Sequence, residues 1–387
     1  MVTHKQIAEQ LGIAPRTVSN ILSGNSIYAY SQKTRERVLK AAQELNYRPN
    51  RSSQAVRRRR SNLIGIIHFA SVAEVARKTD SLLPRLINSE GYDYMVIDMN
   101  WHGGSVDRVL DELIQARVEG VIISHMTESF GPRYVEMLAK VGIPAVVIYG
   151  DDQLNIPLIC DDVRSAFFAM TQHLQALGHQ RLLLMINTYT ARPSRQRQEG
   201  FELAVRDFGP CRVFDDMTYF DRSGRASAWE AQPEARVLKV DLSRFGYDPR
   251  LGYYETAKRL ISQSSLPDAV ICFNDIAAIS TCMAALEAGL RVPSDLAVTG
   301  TDNDLFGEFP LFSLTTIEKD LEGAGTAAVE TLIQQIRSKQ IIRSSSVRTF
   351  PSQLVLRTSC GRQAKPDESI PLYCSIPTIP PEILQTS

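Results

Sequence analysis

Residues 3–22 read THKQIAEQLGIAPRTVSNIL, two short helical phrases separated by a tight break. Thr3 can cap the first phrase, with Gln6 three residues on to complete a capping box. Ile7, Ala8 and Leu11 recur at helical spacing and give that helix one apolar face. Gly12 is placed to end it, because a residue without Cβ takes positive φ at little steric cost. Pro15 suits the first turn of a second helix, where its missing N–H is not needed. Val18, Ile21 and Leu22 turn inward, leaving Arg16, Thr17, Ser19 and Asn20 to face out. Such a pair is a helix-turn-helix, whose second helix enters a DNA major groove. An ordinary small helical hairpin is the competing reading of this stretch taken alone.

Downstream, Ser31 can cap a third helix with Val38, Ala41, Ala42 and Leu45 on one side. Residues 1–60 hold twelve Lys/Arg against three Asp/Glu, a charge of +9, so the rest of this formally neutral chain carries −9. A basic head on an acidic body suits a module drawn to phosphates. A solvated basic face would explain the charge but not the helical motif beside it. Residues 50–60, NRSSQAVRRRR, link head to body. Isolated, the segment is too short for a stable helix, and its four adjacent arginines repel one another until something neutralises them.

From Leu63 the text alternates between short apolar strands and helices. LIGIIHF, YDYMVIDM, VEGVIIS and IPAVVIY form one set of strands, and RLLLMI, AVICF and LAVTG belong to a second that begins after Asp161. VLKVDL reads as another strand of that second set, whereas 209–245 as a whole resists parsing. Repeated βα units predict parallel sheets with helices on both faces, in two lobes with a cleft at the carboxyl ends of the strands. At 387 residues, with 44% hydrophobic and 22% charged content, the chain has room for two or three domains of ordinary globular composition.

Three stretches, TVSNIL, TRERVLKAAQELNYRPNR and RRRRSNLIGII, resemble the headpiece of the lactose-repressor/galactose-repressor (LacI/GalR) family of bacterial regulators. The resemblance continues through Leu177-Gly178-His179, Arg197-x-x-Gly200-Phe201, Pro267-Asp268-Ala269-Val270, Asn274-Asp275, Gly300-Thr301-Asp302-Asn303 and Leu314-Thr315-Thr316-Ile317. It implies an all-α helix-turn-helix headpiece (1–49), a hinge (50–60) and an α/β two-lobed, periplasmic-binding-protein-like body with parallel sheets (61–360). Lobe 1 is expected at about 61–161 and 320–349, and lobe 2 at about 162–319 and 350–360. The chain would then cross between lobes near Asp161, Lys319 and Phe350. The Pro-rich segment 361–387 reads as a flexible tail.

Pro15, Arg16 and Asn20 are the expected base readers, since Arg clasps guanine and Asn pairs with adenine. Thr17 and Ser19 should lie nearer the DNA backbone, and Thr3, Tyr47, Asn50, Ser53, Val56 and Arg57 complete the DNA-facing set. For Arg16 a phosphate contact is the alternative, and for Asn20 a plain polar surface position. By resemblance the hinge folds into a helix on DNA, with Val56 at the minor-groove wedge and Ser53 where Ala is usual. The alternative is a disordered basic linker that binds phosphates without specificity.

For the cleft the resemblance points to Asp161, Arg197, Tyr247, Asn274 and Asp302. Arg195 is an alternative to Arg197, and Phe69 and Phe130 are candidate walls. A donor fork, an acceptor pair and an aromatic face suit a sugar- or base-like molecule. An amphipathic surface ring at Tyr247 and a lobe-stabilising salt bridge for Arg197 and Asp302 are the plainer readings. A sequence-specific, cytoplasmic homodimeric regulator on a pseudo-palindromic operator is therefore expected, with a carbohydrate-like effector. A transport solute-binding protein is the alternative.

No phosphate loop, GxGxxG helix opening or HExxH supports an enzyme, and the six histidines show no metal spacing, so neither cofactor nor metal is expected. The six cysteines show no CxxC and read as free thiols in a reducing compartment. No secretory signal is read at the start, and no apolar run approaches the roughly 20 residues of a membrane span.

Overall fold

The computed structural model describes residues 2–22, 30–47, 60–68, 74–99, 105–124, 131–152, 154–188, 192–215, 229, 233–241, 249–343, 346–361 and 368–371. Residues 1–61 and 62–387 form two separate compact units.

The first unit contains α1 (His4–Leu11), α2 (Pro15–Leu22) and α3 (Gln32–Glu44). Thr3 and Gln6 form the expected capping box, and Gly12 ends α1 at φ 66° in the left-handed region. Ser31 caps α3 by accepting the Thr34 N–H. Ile7, Ala8, Val18, Ile21, Val38, Ala41 and Ala42 meet in one small core, with Leu11, Leu22, Leu45 and Tyr47 packed around it. A core this small depends on polar ties, and Arg37 supplies one by donating to the Leu11 carbonyl at 3.2 Å.

In the second unit, β1 (Leu63–His68), β2 (Asp93–Asp98), β3 (Gly120–Ser124), β4 (Ala145–Ile148), β5 (Leu158–Asp161) and β12 (Val347–Phe350) form a parallel sheet. Its order is β12-β5-β4-β3-β1-β2. Around it run α4 (Glu74–Ser89), α5 (Val106–Ala116), α6 (Gly131–Val141) and α11 (Leu321–Ser338). A second parallel sheet has the order β10-β9-β6-β8-β7, built from β6 (Arg181–Asn187), β7 (Cys211–Asp215), β8 (Glu234–Val240), β9 (Ala269–Cys272) and β10 (Ala297–Thr299). It carries α7 (Val163–Ala176), α8 (Arg192–Ala204), α9 (Pro249–Ile261) and α10 (Asp275–Glu287). Each sheet has its own buried apolar cluster, which makes them two lobes.

The chain passes between lobes at three places: from β5 into α7, from β11 (Thr316–Lys319) into α11, and from β12 into β13 (Ser352–Leu356). These lie beside the expected Asp161, Lys319 and Phe350. β11 pairs antiparallel with β13, which pairs in turn with β14 (Glu368–Pro371). That last strand corrects the reading of 361–387 as wholly a loose tail: β13 leaves an edge whose backbone groups need partners, and residues 368–371 supply them. The stretch 209–245 likewise yields β7 and β8, the former without the apolar run that marks a buried strand. Among the described residues, no helix is long and apolar enough to cross a membrane.

Candidate functional site

On the headpiece, Pro15 and Arg16 of α2 are exposed and Thr17 is half-buried. Ser19 and Asn20 depart from expectation: both are buried, at 8% and 6% exposure, rather than facing out. The Asn20 amide donates to the Tyr30 hydroxyl at 2.9 Å, so it ties α2 to the chain entering α3. The cause is geometric. α2 is only eight residues long, and Tyr30, just before α3, reaches back to a position that helical periodicity assigns to solvent. Thr3 serves as the α1 cap, and Tyr47 lies against His4, its hydroxyl 2.6 Å from Nε2. Asn50, Ser53, Val56 and Arg57 lie outside the described residues, as do Phe69, Phe130 and Tyr247.

In the body, the carboxyl ends of the strands bring together a set of charged groups with little water around them. Asp161, the last residue of β5, is buried. Asp302, three residues beyond β10, is buried with φ 112° and accepts an ion pair from Lys319 Nζ at 2.7 Å. Burial opposes the Lys319 charge, but Asp302 and Asp161 outweigh it and hold the ammonium above its ordinary pKa. Nζ also lies 5.6 Å from the centroid of the buried Tyr149 ring.

Arg197 is held differently. Its guanidinium lies between the rings of Phe167 and Phe273, 5.7 and 5.9 Å from their centroids. Among the described residues, its buried Nε has no hydrogen-bond partner. Burial lowers the pKa of this group, against the pull of Asp302 and Asp161. The motif Arg197-x-x-Gly200-Phe201 explains the placement. A Cβ on Gly200 would stand 2.2 Å from the Arg164 carbonyl oxygen, so only glycine lets α8 pack this closely on α7, which carries Phe167.

Arg195, the alternative to Arg197, is spent elsewhere: it pairs with Asp152 at 3.1 Å and Asp151 at 3.5 Å. Arg192 adds a 3.3 Å pair to Asp152 and donates to Cys160 Sγ at 3.0 Å. These contacts fasten the start of α8, in lobe 2, to the ends of β4 and β5, in lobe 1. Lys78 of α4 makes another bridge between lobes, donating to the Asn303 carbonyl at 2.9 Å. Asn274 caps α10, its Oδ1 accepting the Ala277 N–H at 2.8 Å.

Sequence reasoning missed Lys319, Tyr149, Phe167 and Phe273. For Lys319, Tyr149 and Phe273, positions at strand ends are the signal that could have found them; Phe167, inside α7, carries no such mark. Sequence reasoning also missed a cluster at the carboxyl ends of β1–β3. There His68 Nδ1 lies 2.7 Å from Asp80 and Nε2 3.6 Å from Asp98, while Ser124 donates to Asp80. The Asp80 hydrogen bond, partly offset by burial, raises the His68 pKa. Among the described residues, no group of three or more His, Cys, Asp or Glu side chains is placed to hold a metal.

A family profile described as bacterial regulatory proteins, lacI family, matches residues 3–50. Profiles for periplasmic binding proteins and sugar binding domain of LacI family, and for a periplasmic binding protein-like domain, match 83–231 and 171–360. The HTH-type transcriptional repressor PurR of Pasteurella multocida (strain Pm70) is 26% identical over 364 residues, covering 93% of this chain and 98% of that protein. An uncharacterised HTH-type transcriptional regulator of Streptomyces limosus, from the aml 5' region, is 28% identical over 361 residues, covering 92% and 93%. Among solved structures, the lac repressor dimer bound to operator and the anti-inducer ONPF superimposes with a TM-score of 0.73 at 23% identity, covering 93% and 99%. The transcriptional regulator CelR–cellobiose complex gives 0.59 at 20%, covering 93% and 100%. At such identities the structural likeness is one of fold.

Proposed function

This chain belongs to the LacI/GalR family of bacterial DNA-binding transcription regulators, and from that membership we propose that it is a repressor whose operator affinity is set by a small polyhydroxylated molecule, a sugar or sugar derivative, held between the lobes. It acts as a homodimer, because one small headpiece reads few base pairs and a two-fold pair reads a pseudo-palindrome. Pro15 and Arg16 read base edges and Thr17 a phosphate. The segment 50–60 orders on DNA with Val56 at the minor groove, where an apolar wedge costs a few kcal/mol of unstacking that new contacts offset.

The observation that carries the effector reading is Arg197: a guanidinium between two phenyl rings, its Nε buried without a partner among the described residues, is a donor in want of an acceptor. Asp161 and Asp302 stand near enough to favour its charge, and they accept hydroxyl donors. A molecule that both accepts and donates around a ring matches this set, and a structural neighbour, CelR, was solved as a complex with cellobiose. Bound there, it presses on both lobes and changes which angle between them is preferred.

The test is linkage. Effector candidates, sugars and nucleobases, are screened by thermal shift on the full chain, since a ligand that binds the folded state raises the midpoint. The effector found is then titrated with and without operator. Affinity should change by the same factor by which effector changes operator affinity. Arg197→Leu should abolish the effector response while DNA binding persists. Equal effector affinity with and without operator, or an unaltered response in Arg197→Leu, would refute the reading.

A further inference from the structure

A cavity of about 400 Å³ opens in lobe 1 far along the strands from the cleft. The cleft lies at the carboxyl ends of β4 and β5; this cavity lies at their amino ends, beside Ala145, Leu154 and Ile156. Its floor is apolar, for Leu138, Leu154 and Ile156 are all at most 5% exposed. One wall is α6, and the opposite one is the segment 341–343.

That wall is anchored rather than loose. Gln335 of α11 accepts the Ile342 N–H at 2.9 Å through Oε1 and donates to the Ala145 carbonyl at 3.3 Å through Nε2. Arg343 spans the mouth and donates through Nη2 to the Ala139 carbonyl at 3.2 Å. The volume falls in the range of small-molecule sites, roughly 300–1,000 Å³. Two charged side chains stand at the rim. Glu136 is already paired with Lys140 at 2.7 Å. Among the described residues, Arg343 has only a neutral carbonyl as partner, so the rim they form offers an incoming molecule a guanidinium fork and no free anion.

We propose that this cavity is a second small-molecule site, for a compact apolar body such as an aryl or branched hydrocarbon group bearing one carboxylate, which pairs with Arg343. The site is independent of the effector reading. It does, however, sit under the lead-in segments of β5 and β12, neighbours in the sheet whose far ends are two of the three crossings between lobes.

The test uses the full chain, labelled at Ile and Leu methyls, with 4-phenylbutyrate as probe and 4-phenylbutan-1-ol as its neutral counterpart. The carboxylate should shift the Ile143, Ile156 and Ile341 methyls saturably, and the alcohol should bind about tenfold more weakly for want of the charge-assisted bond. Arg343→Gln, an exposed change, should erase that preference. Ala139→Phe, which fills the cavity from its partly open side, should abolish both shifts. Shifts that do not saturate, that fall on cleft residues instead, or that are as large for the alcohol as for the acid would overturn the proposal.

Discussion

Arg16 and Asn20 lie one helical turn apart on α2, yet the fold uses them in different ways. Arg16 is exposed. Asn20 is buried and bonded to Tyr30. Arg16→Ala should therefore leave headpiece stability within about 0.5 kcal/mol and cost roughly 1–3 kcal/mol of operator binding, with preference relaxed at one base pair. A uniform loss over all operator variants would make Arg16 a phosphate contact instead. Asn20→Ala should lower thermal stability by about 1 kcal/mol, the worth of a part-buried hydrogen bond. An unchanged melting curve for that variant would show that the Tyr30 bond contributes nothing. Helical spacing alone could not separate the two, because the contact that holds Asn20 comes from Tyr30, ten residues on.

Between elements, Asp275 decides how α10 meets β11. It is buried in the first turn of α10; its Oδ1 accepts the Thr316 hydroxyl and its Oδ2 the Asp304 N–H, both at 2.6 Å. Burial pushes its pKa to about 7, against the pull of those two hydrogen bonds. In the unfolded chain the same carboxyl titrates near 4. Between these values the folded state binds more protons, so this group's contribution to stability falls as pH rises through the window. Relative to Asp275→Asn, the parent protein should lose stability from about pH 4 to pH 7, at up to about 1.4 kcal/mol per pH unit. Parallel stability curves for the two proteins over that range would contradict this. The pair Asn274-Asp275 is visible in the sequence, but its division of labour, cap and buried acceptor, follows from what β11 and residue 304 bring against it.

For the molecule as a whole, charge is divided between a head of +9 and a body of −9. Operator affinity of the full chain should fall on the order of a thousandfold between about 50 and 200 mM salt, if each dimer displaces counterions from several phosphates. Replacing Arg57–Arg60 by glutamine should flatten that dependence. A shallow slope in the parent protein would mean that the head does not bind as a phosphate-neutralising module. Much of the architecture was legible beforehand, since the capping residues of α1 and α3, the Gly12 stop, the headpiece core and the apolar strands are local or periodic features. β7 escaped because an edge strand needs no apolar run, and β14 because its sequence has none of the usual marks of a strand and acquires its pairing from β13.

The amino-acid sequence by itself determined the helix-turn-helix and the alternation of strands and helices, while the crossings between lobes and the candidates Asp161, Arg197 and Asp302 came from its resemblance to a family. Only the tertiary structure decided how these charges are partnered. Asp302 is neutralised by Lys319, Arg195 by Asp151 and Asp152, and Arg197 is left between two phenyl rings. The physical reason is that helical and strand periods follow from neighbours along the chain. A charge's partner and its exposure to water are instead set by segments tens or hundreds of residues away, which the fold alone brings within a few ångströms.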